Sequence, residues 1–286
     1  MTKNENEKIM RATGLLVIEV RNSNPNGDPD KESDPRHRPD ERGEISPVSF
    51  KRKLRDLVEE KEGEVWKGEI NKLSLNNENF HILESRGRDR KEIEKELKNG
   101  TFKDKYWDAR IFGNTFLEEG SSTSIKTGVV QFGLGVSLAP IIIERMTTTN
   151  KAGVQEGKDR GMAPLSYRVV QHGVYCMPFF VNPTAAGKTG CTKKDIDLLL
   201  YLIPYAYSHT ASYVRPFVGI RHAWYMEHKS PLGSCSDFAL IDALTPKKKG
   251  DPEKASTSWE EFDVPSGLPK DIQNKINSCR DLMAEI

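Results

Sequence analysis

Four apolar, strand-like runs set against two amphipathic helical stretches constrain this chain more than any other feature. Residues 14–20 (GLLVIEV) are short, β-branched and continuously apolar, the signature of a buried strand. Residues 128–143 (GVVQFGLGVSLAPIII) mix alternation with a continuous apolar end, and 169–181 (VVQHGVYCMPFFV) and 216–225 have the same strand character. After the first run, Ser46 stands as an N-cap before Pro47 at the first helical position. Phe50, Leu54, Leu57 and Val58 then share one helical face, which predicts packing on a core. Before the last run, Thr192 caps a second helix with Asp195 completing a capping box, and Ile196, Leu199, Leu200 and Ile203 supply the buried side. Pro204 ends or kinks that helix.

Strand, helix, strand, strand, helix, strand is the ferredoxin-like order, an α+β fold that hosts many functions. Four stretches interrupt or flank it. The loop from Asn22 runs through Pro35 and Pro39 to Gly43, and loops of that length are functional or disordered. Residues 59–105 are strongly polar, with a charged helix from Glu92 to Lys98 stopped by Asn99-Gly100, and read as an inserted, largely solvated subdomain. Residues 147–168 hold few large apolar side chains between two strands, which predicts a hairpin with a long projecting arm. After Leu244 the chain turns polar and lysine-rich (Lys247 to Lys249), with a short helix expected over 271–283.

Composition excludes several classes. The 286 residues carry 43 lysines and arginines against 42 acids, so the net charge of +1 rules out a globally basic protein but leaves room for one basic face. The start of the chain is polar apart from Ile9, Met10 and Ala12, and no apolar run reaches about 18 residues, so neither a signal peptide nor a membrane span is expected. Cys176, Cys191, Cys235 and Cys279 never fall in a C-x-x-C pair and read as reduced thiols of a cytoplasmic protein.

The six histidines lack metal-binding spacing, no serine sits in a G-x-S-x-G elbow, and Gly187-Lys-Thr189 lacks the upstream glycine of a phosphate loop. Asp28, Asp30 and Asp34 form one acidic cluster in the first loop. Three carboxylates can hold a divalent metal for phosphodiester cleavage. The same residue types are also what tight turns use, and Arg36 and Arg38 lie close by as charge partners, which favours the turn reading. Residues 36–55 hold seven lysines and arginines against three acids, with Lys51, Arg52 and Arg55 along one helix as a stripe suited to a phosphate backbone. The stretch from Lys126 to Gln131 lacks the first aromatic of an RNA-stacking strand, so backbone recognition is expected rather than stacking on the sheet. In the arm, Arg160, Met162, Leu165, Tyr167 and Arg168 stand in a polar setting, where apolar side chains pack on a partner or wedge between bases.

Several of these segments together resemble the backbone subunit (Cas seven) of type I CRISPR Cascade effector complexes. They are Asn24-Pro-Asn-Gly-Asp-Pro-Asp30, Pro35-Arg36, Phe50-Lys-Arg-Lys-Leu-Arg-Asp56, Asp108-Ala-Arg-Ile-Phe-Gly113, Gly128-Val-Val-Gln131 and Arg145-Met-Thr-Thr-Thr149, in that order. His228 followed by Leu232-Gly233 resembles the type I-C branch, with I-B the neighbouring choice. Asp34 departs from the asparagine the family carries before Pro-Arg. The resemblance implies a ferredoxin-like (RRM-like) palm over 14–58 and 106–244, a helical finger insertion over 59–105, a long β-hairpin thumb over 147–168 and a polar extension over 245–286. It also implies a non-catalytic protein, without metal or cofactor, that polymerises on the guide crRNA, presents it to a target DNA strand, and contacts its own copies and other Cascade subunits. Carried over by position, the RNA contacts are Asn24, Asn26, Lys51, Arg52, Arg55 and Gln131 in the palm and Met162, Tyr167 and Arg168 in the thumb. Backbone subunits of type III complexes cut RNA with a loop aspartate, which makes a metal-dependent endoribonuclease the alternative.

Overall fold

The computed structural model describes residues 8–85, 89–114, 127–151 and 162–286. In chain order its principal elements are β1 (Ala12–Ser23), β2 (Arg42–Ile45), α1 (Pro47–Glu59), α2 (Glu64–Lys72), α3 (Arg90–Asn99), α4 (Trp107–Phe112), β3 (Val130–Phe132), β4 (Gly135–Pro140), β5 (Ile143–Lys151), β6 (Met162–Val181), α5 (Lys193–Leu202), β7 (Val218–His228), α6 (Asp237–Leu244) and β8 (Ile276–Asp281). One antiparallel sheet runs in the order β8-β7-β1-β6-β4-β2, with β3 and β5 also paired to β6. The fold is mixed α+β. No helix among the described residues is long and apolar enough to cross a membrane.

The continuous apolar run of the first strand is explained by its position. β1 pairs with β6 from Ala12↔Val181 to Ser23↔Val170 and with β7 from Ala12↔Glu227 to Val20↔Val218. Every residue from Ala12 to Val20 is buried, because both faces of the sheet are covered. Leu16, Ile18 and Val20 meet α1 and α5 through Phe50, Leu54, Ile196 and Leu199. Leu15 and Val17 point the other way and pack with Trp224, Met226, Leu240, Phe262 and Ile276.

Both helix starts follow their sequence signals. The Ser46 hydroxyl accepts the Ser49 N–H at 3.2 Å, and Asp195 closes the capping box on Thr192. The Asp108-Ala-Arg-Ile-Phe-Gly113 segment is a structural clamp. Asp108 accepts the Leu83 N–H at 2.7 Å and Arg55 Nε at 2.9 Å, while Arg110 pairs with Asp195 at 2.7 Å and donates to the carbonyls of Asn79, Lys103 and Asp104.

Four expectations change. The first loop is not structureless, since β2 closes it onto β4 and Gly27–Asp28 pairs with Asp34–Pro35. The single strand expected over 128–143 divides into β3, β4 and the start of β5, broken around Gly133 and again after Pro140. The polar stretch 59–105 is tied into the protein: Val65, Trp66, Phe80 and Ile82 join the main core, and Leu83, Ile93, Phe102 and Tyr106 form a small core of their own. Its apolar residues are few, but those named are buried. Of the helix expected over 271–283 only a single short helix, Lys270–Gln273, forms; the chain then becomes β8, which satisfies the open edge of β7 from Ile276↔His228 to Asp281↔Trp224. The C-terminal segment is therefore part of the fold. Phe262, 4% exposed, is its anchor on the second face. Phe262→Ala should cost about 3–5 kcal/mol, read as a lowered urea midpoint by tryptophan fluorescence. A change below about 0.5 kcal/mol would make the segment an appended tail.

Candidate nucleic-acid interface

The first loop, the start of α1 and the foot of the β5–β6 hairpin surround a cleft of about 910 Å³. Four guanidiniums (Arg36, Arg145, Arg168 and Arg215) and two carboxylates (Glu32 and Asp34) line it. The hairpin register, from Ile143↔Val170 to Lys151↔Met162, sets Arg145 directly across from Arg168. Arg145 donates to the Ser166 hydroxyl at 3.2 Å, and Arg215 Nε donates to the Asn24 carbonyl at 2.8 Å. Arg36 lies 3.7 Å from Glu44, and Arg168 forms an ion pair with Asp34 across the cleft. Ser46, Val48 and Ser49 bring the N-terminal turn of α1 to the wall, where its partial positive charge adds to that of the guanidiniums.

Asn24 and Asn26 line this cleft but are 6% and 5% exposed. Asn26 Oδ1 accepts from the Ser46 N–H at 3.0 Å and the Ser46 hydroxyl at 2.8 Å, fixing the loop to the helix start. Asn24 Nδ2 donates to the Ser33 carbonyl at 2.7 Å, and its buried Oδ1 has no partner in the structure. Both shape the wall more than they present an amide to a ligand. Tyr167 is half-buried, its ring 5.3 Å from that of Tyr213. Met162 pairs with Lys151 at the far end of the described hairpin; its side chain and Arg160 lie outside the described residues.

The stripe on α1 requires correction. Arg55 is 4% exposed and locked to Asp108, with Glu84 3.5 Å away. Arg52 is held by Asp56 at 2.7 Å and Glu59 at 2.6 Å and donates to the Glu84 carbonyl at 2.7 Å. Neither cation lines the cleft: Arg52 is held by carboxylates of its own helix, and Arg55 by the distant Asp108 and Glu84. Lys51 sits 5.0 Å from the centre of the Phe112 ring, and burial, then the nearby Arg55 charge, lower its pKa to about 8. Gln131, exposed on β3, donates to the Gly128 carbonyl at 3.4 Å. A Cβ at Gly128 would stand 2.3 Å from the Gly113 nitrogen, so glycine there permits the close crossing of the two backbones. Neither Lys51 nor Gln131 lines the cleft.

The acidic cluster is used locally. Asp28 Oδ1 accepts the Asp30 N–H at 3.2 Å, the Asp28 carbonyl accepts from Lys31 and Ser33, and Asp34 meets Arg168. Among the described residues no group of three histidine, cysteine or acidic side chains is placed to hold a metal ion. Sequence reasoning missed Arg145, Arg215 and Tyr213 as site residues. Tyr213-Val-Arg-Pro-Phe217 was a findable signal, an aromatic and basic run just before the last strand.

With that geometry in place, the family comparison is decisive. The model of the family CRISPR-associated protein Cas7 matches residues 10–266. The chain belongs to the Cas7 family. No curated protein matches it. Among solved structures it is similar to a chain of a "CRISPR RNA-guided surveillance complex, pre-nicking", at 14% identity and a TM-score of 0.48, covering 76% of this chain and 78% of that one. A chain of a "CRISPR RNA-guided surveillance complex" gives 14% identity, a TM-score of 0.44 and coverage of 75% and 68%. A chain of a type III-B Cmr-beta complex bound to cognate target RNA gives 12% identity, a TM-score of 0.39 and coverage of 76% and 61%.

In this Cas7-family chain the cleft and the clamp should respond differently to mutation. Asp34→Asn frees Arg168 and should tighten binding of single-stranded RNA several-fold, while this half-exposed ion pair contributes about 1 kcal/mol of stability or less. Weaker binding in a titration would instead make Asp34 the residue that positions Arg168. Arg55→Ala leaves buried Asp108 without its cation and should destabilise the fold by about 3–5 kcal/mol in thermal or urea unfolding. An unchanged stability with weakened RNA binding would return Arg55 to the ligand side.

Proposed function

We propose that this chain is a non-catalytic crRNA-binding backbone subunit of a type I CRISPR Cascade complex, working in the cytoplasm in antiviral defence. The observation that carries this reading is the cleft: a Cas7-family chain of net charge +1 gathers four guanidiniums at the foot of one hairpin. Phosphates need position more than base identity, and arginine forks suit them. The sheet order β7-β1-β6-β4, with α1 and α5 on one face, supports a ferredoxin-like palm. On this reading residues 59–105 are the finger and the β5–β6 hairpin is the thumb, and Met162 sits where a wedge between bases would start. Tyr167 and Arg168 contact the guide together with Arg36, Arg145 and Arg215. Asn24 and Asn26 shape the wall, Lys51 and Gln131 supply a second contact, and Arg52 and Arg55 act through the fold.

Copies stack head to tail along the guide, a heterologous contact that does not close and therefore builds a filament. Exposed Leu232 and Phe238 are suited to contacts with copies or with other Cascade subunits. The guide then pairs with the target DNA strand. The buried His228 with Leu232-Gly233 supports the I-C branch over I-B. Asp28 and Asp30 shape a turn, which favours this reading over a type III endoribonuclease.

Purification from cells should yield a discrete bound RNA, and titration with unrelated single strands should give similar affinities. Arg145→Ala and Arg168→Ala should each weaken all sequences alike and lower the salt slope by roughly 0.7. Strong preference for one base composition with no salt dependence would overturn the reading. Incubation of the complex with magnesium or manganese should leave the RNA whole. Divalent-dependent cleavage lost in Asp28→Ala would establish the endoribonuclease in its place.

A further inference from the structure

On the sheet face away from α1, one buried carboxylate holds two arginines. Glu19 is 5% exposed; its Oε1 accepts from Arg21 Nε at 2.6 Å and its Oε2 from Arg221 Nε at 2.5 Å. His172 Nε2 lies 3.3 Å from the same carboxylate, and Ser256 Oγ lies 2.8 Å from His172 Nδ1. Burial alone would raise the Glu19 pKa, but the hydrogen bonds from His172, Arg21 and Arg221 hold it down to about 2, so it is ionised at neutral pH. Two guanidiniums on the two oxygens of one carboxylate must lie side by side. The contacts to Glu19 run through Nε, and the side chains are 51% and 41% exposed, so neither arginine is buried by its partner. Arg221 also packs on the Trp259 ring at 5.1 Å, and Phe217, whose carbonyl accepts the Arg21 N–H, is 67% exposed. Glu260 lies near Arg21 and subtracts part of the charge.

We propose that Arg21 and Arg221 form a second phosphate-binding site for a nucleic-acid strand, oriented by Glu19 and flanked by Trp259. An ordinary surface ion pair matches one cation to one anion. Here one anion fixes two exposed guanidiniums, with an aromatic surface alongside, elements that suit a single strand. The site continues the cleft around the end of the sheet. Arg21 lies three residues from Asn24 on β1, about 10 Å of extended chain, and the Arg21 N–H donates to the Phe217 carbonyl, two residues beyond Arg215. A strand leaving the cleft meets these forks next. The proposal rests on the RNA-binding reading for the identity of that strand.

The test is fluorescence anisotropy with labelled polyuridine RNA across about 50–300 mM salt. The double variant Arg21→Gln/Arg221→Gln should lose about tenfold in affinity and roughly 1.4 in salt slope. Arg21→Lys/Arg221→Lys, which keeps the charge and loses the forks, should weaken binding while keeping the wild-type slope. Glu19→Gln makes the protein more positive and should nonetheless weaken binding, because it releases the forks. Thermal melts check that Glu19→Gln remains folded, and the two arginine pairs, being exposed, read the site without that concern. If wild type binds RNA and the glutamine pair binds within twofold of it, this site is wrong while the cleft reading stands; a role for the pair in binding an acidic protein gives that result. If wild type binds no RNA, the broader reading falls.

Discussion

Burying β1 on both faces is the constraint that organises the rest of the molecule. Nine successive residues, Ala12 to Val20, are buried, and each apolar side chain among them contributes on the order of 1.5–3 kcal/mol when covered. Covering both faces takes two layers: α1 and α5 on one side, α6 and the segment around Phe262 and Ile276 on the other. Over β1 neither face is open for bases to stack. On the proposed reading, recognition falls at the end of the sheet, where β1 leaves the core at Arg21 and the first loop begins.

Charge is distributed by the same logic. A chain with nearly equal numbers of acids and bases presents a basic surface only if its acids are engaged elsewhere. Asp108 engages Arg55, Asp195 engages Arg110, and Asp56 and Glu59 engage Arg52, all around the helices. At the end of the sheet the balance reverses. Arg145 bonds to a hydroxyl and Arg215 to a carbonyl, neither of which cancels the charge, and Glu19 holds two arginines with one carboxylate. The buried pairs at Asp108 and Asp195 fix the scaffold, and on the proposed reading the cations at the end of the sheet form the interface.

Local signals in the sequence were reliable where a single element decides the outcome. The cap at Ser46, the capping box at Thr192 and Asp195, and the αL glycine at Gly100 all lie within one turn of the backbone they satisfy. Failures came where the deciding partner is remote. Lys51, Arg52 and Arg55 look alike on a helical wheel, and only the arrival of Asp108, 53 residues from Arg55, separates the buried cation from the others. Segment 276–281 is too short and polar to predict as a strand, and becomes one because β7 offers it an unpaired edge. Asn24 and Asn26, expected as RNA contacts, line the cleft, yet their hydrogen bonds run to Ser33 and Ser46 of the chain itself rather than outward.

The hairpin foot shows how such a site is kept rigid without being buried. β6 is 20 residues long, so one uninterrupted strand pairs with β5 at one end and with β1 and β4 further along. Arg168 is exposed in the cleft, while Val169 and Val170 immediately after it are buried. Slipping the register by one residue would bring the Arg168 guanidinium to the buried position that Val169 holds. The positions of Tyr167 and Arg168 are therefore set by core packing two residues away. A ligand meets guanidiniums already held in place and has little ordering cost to overcome on binding.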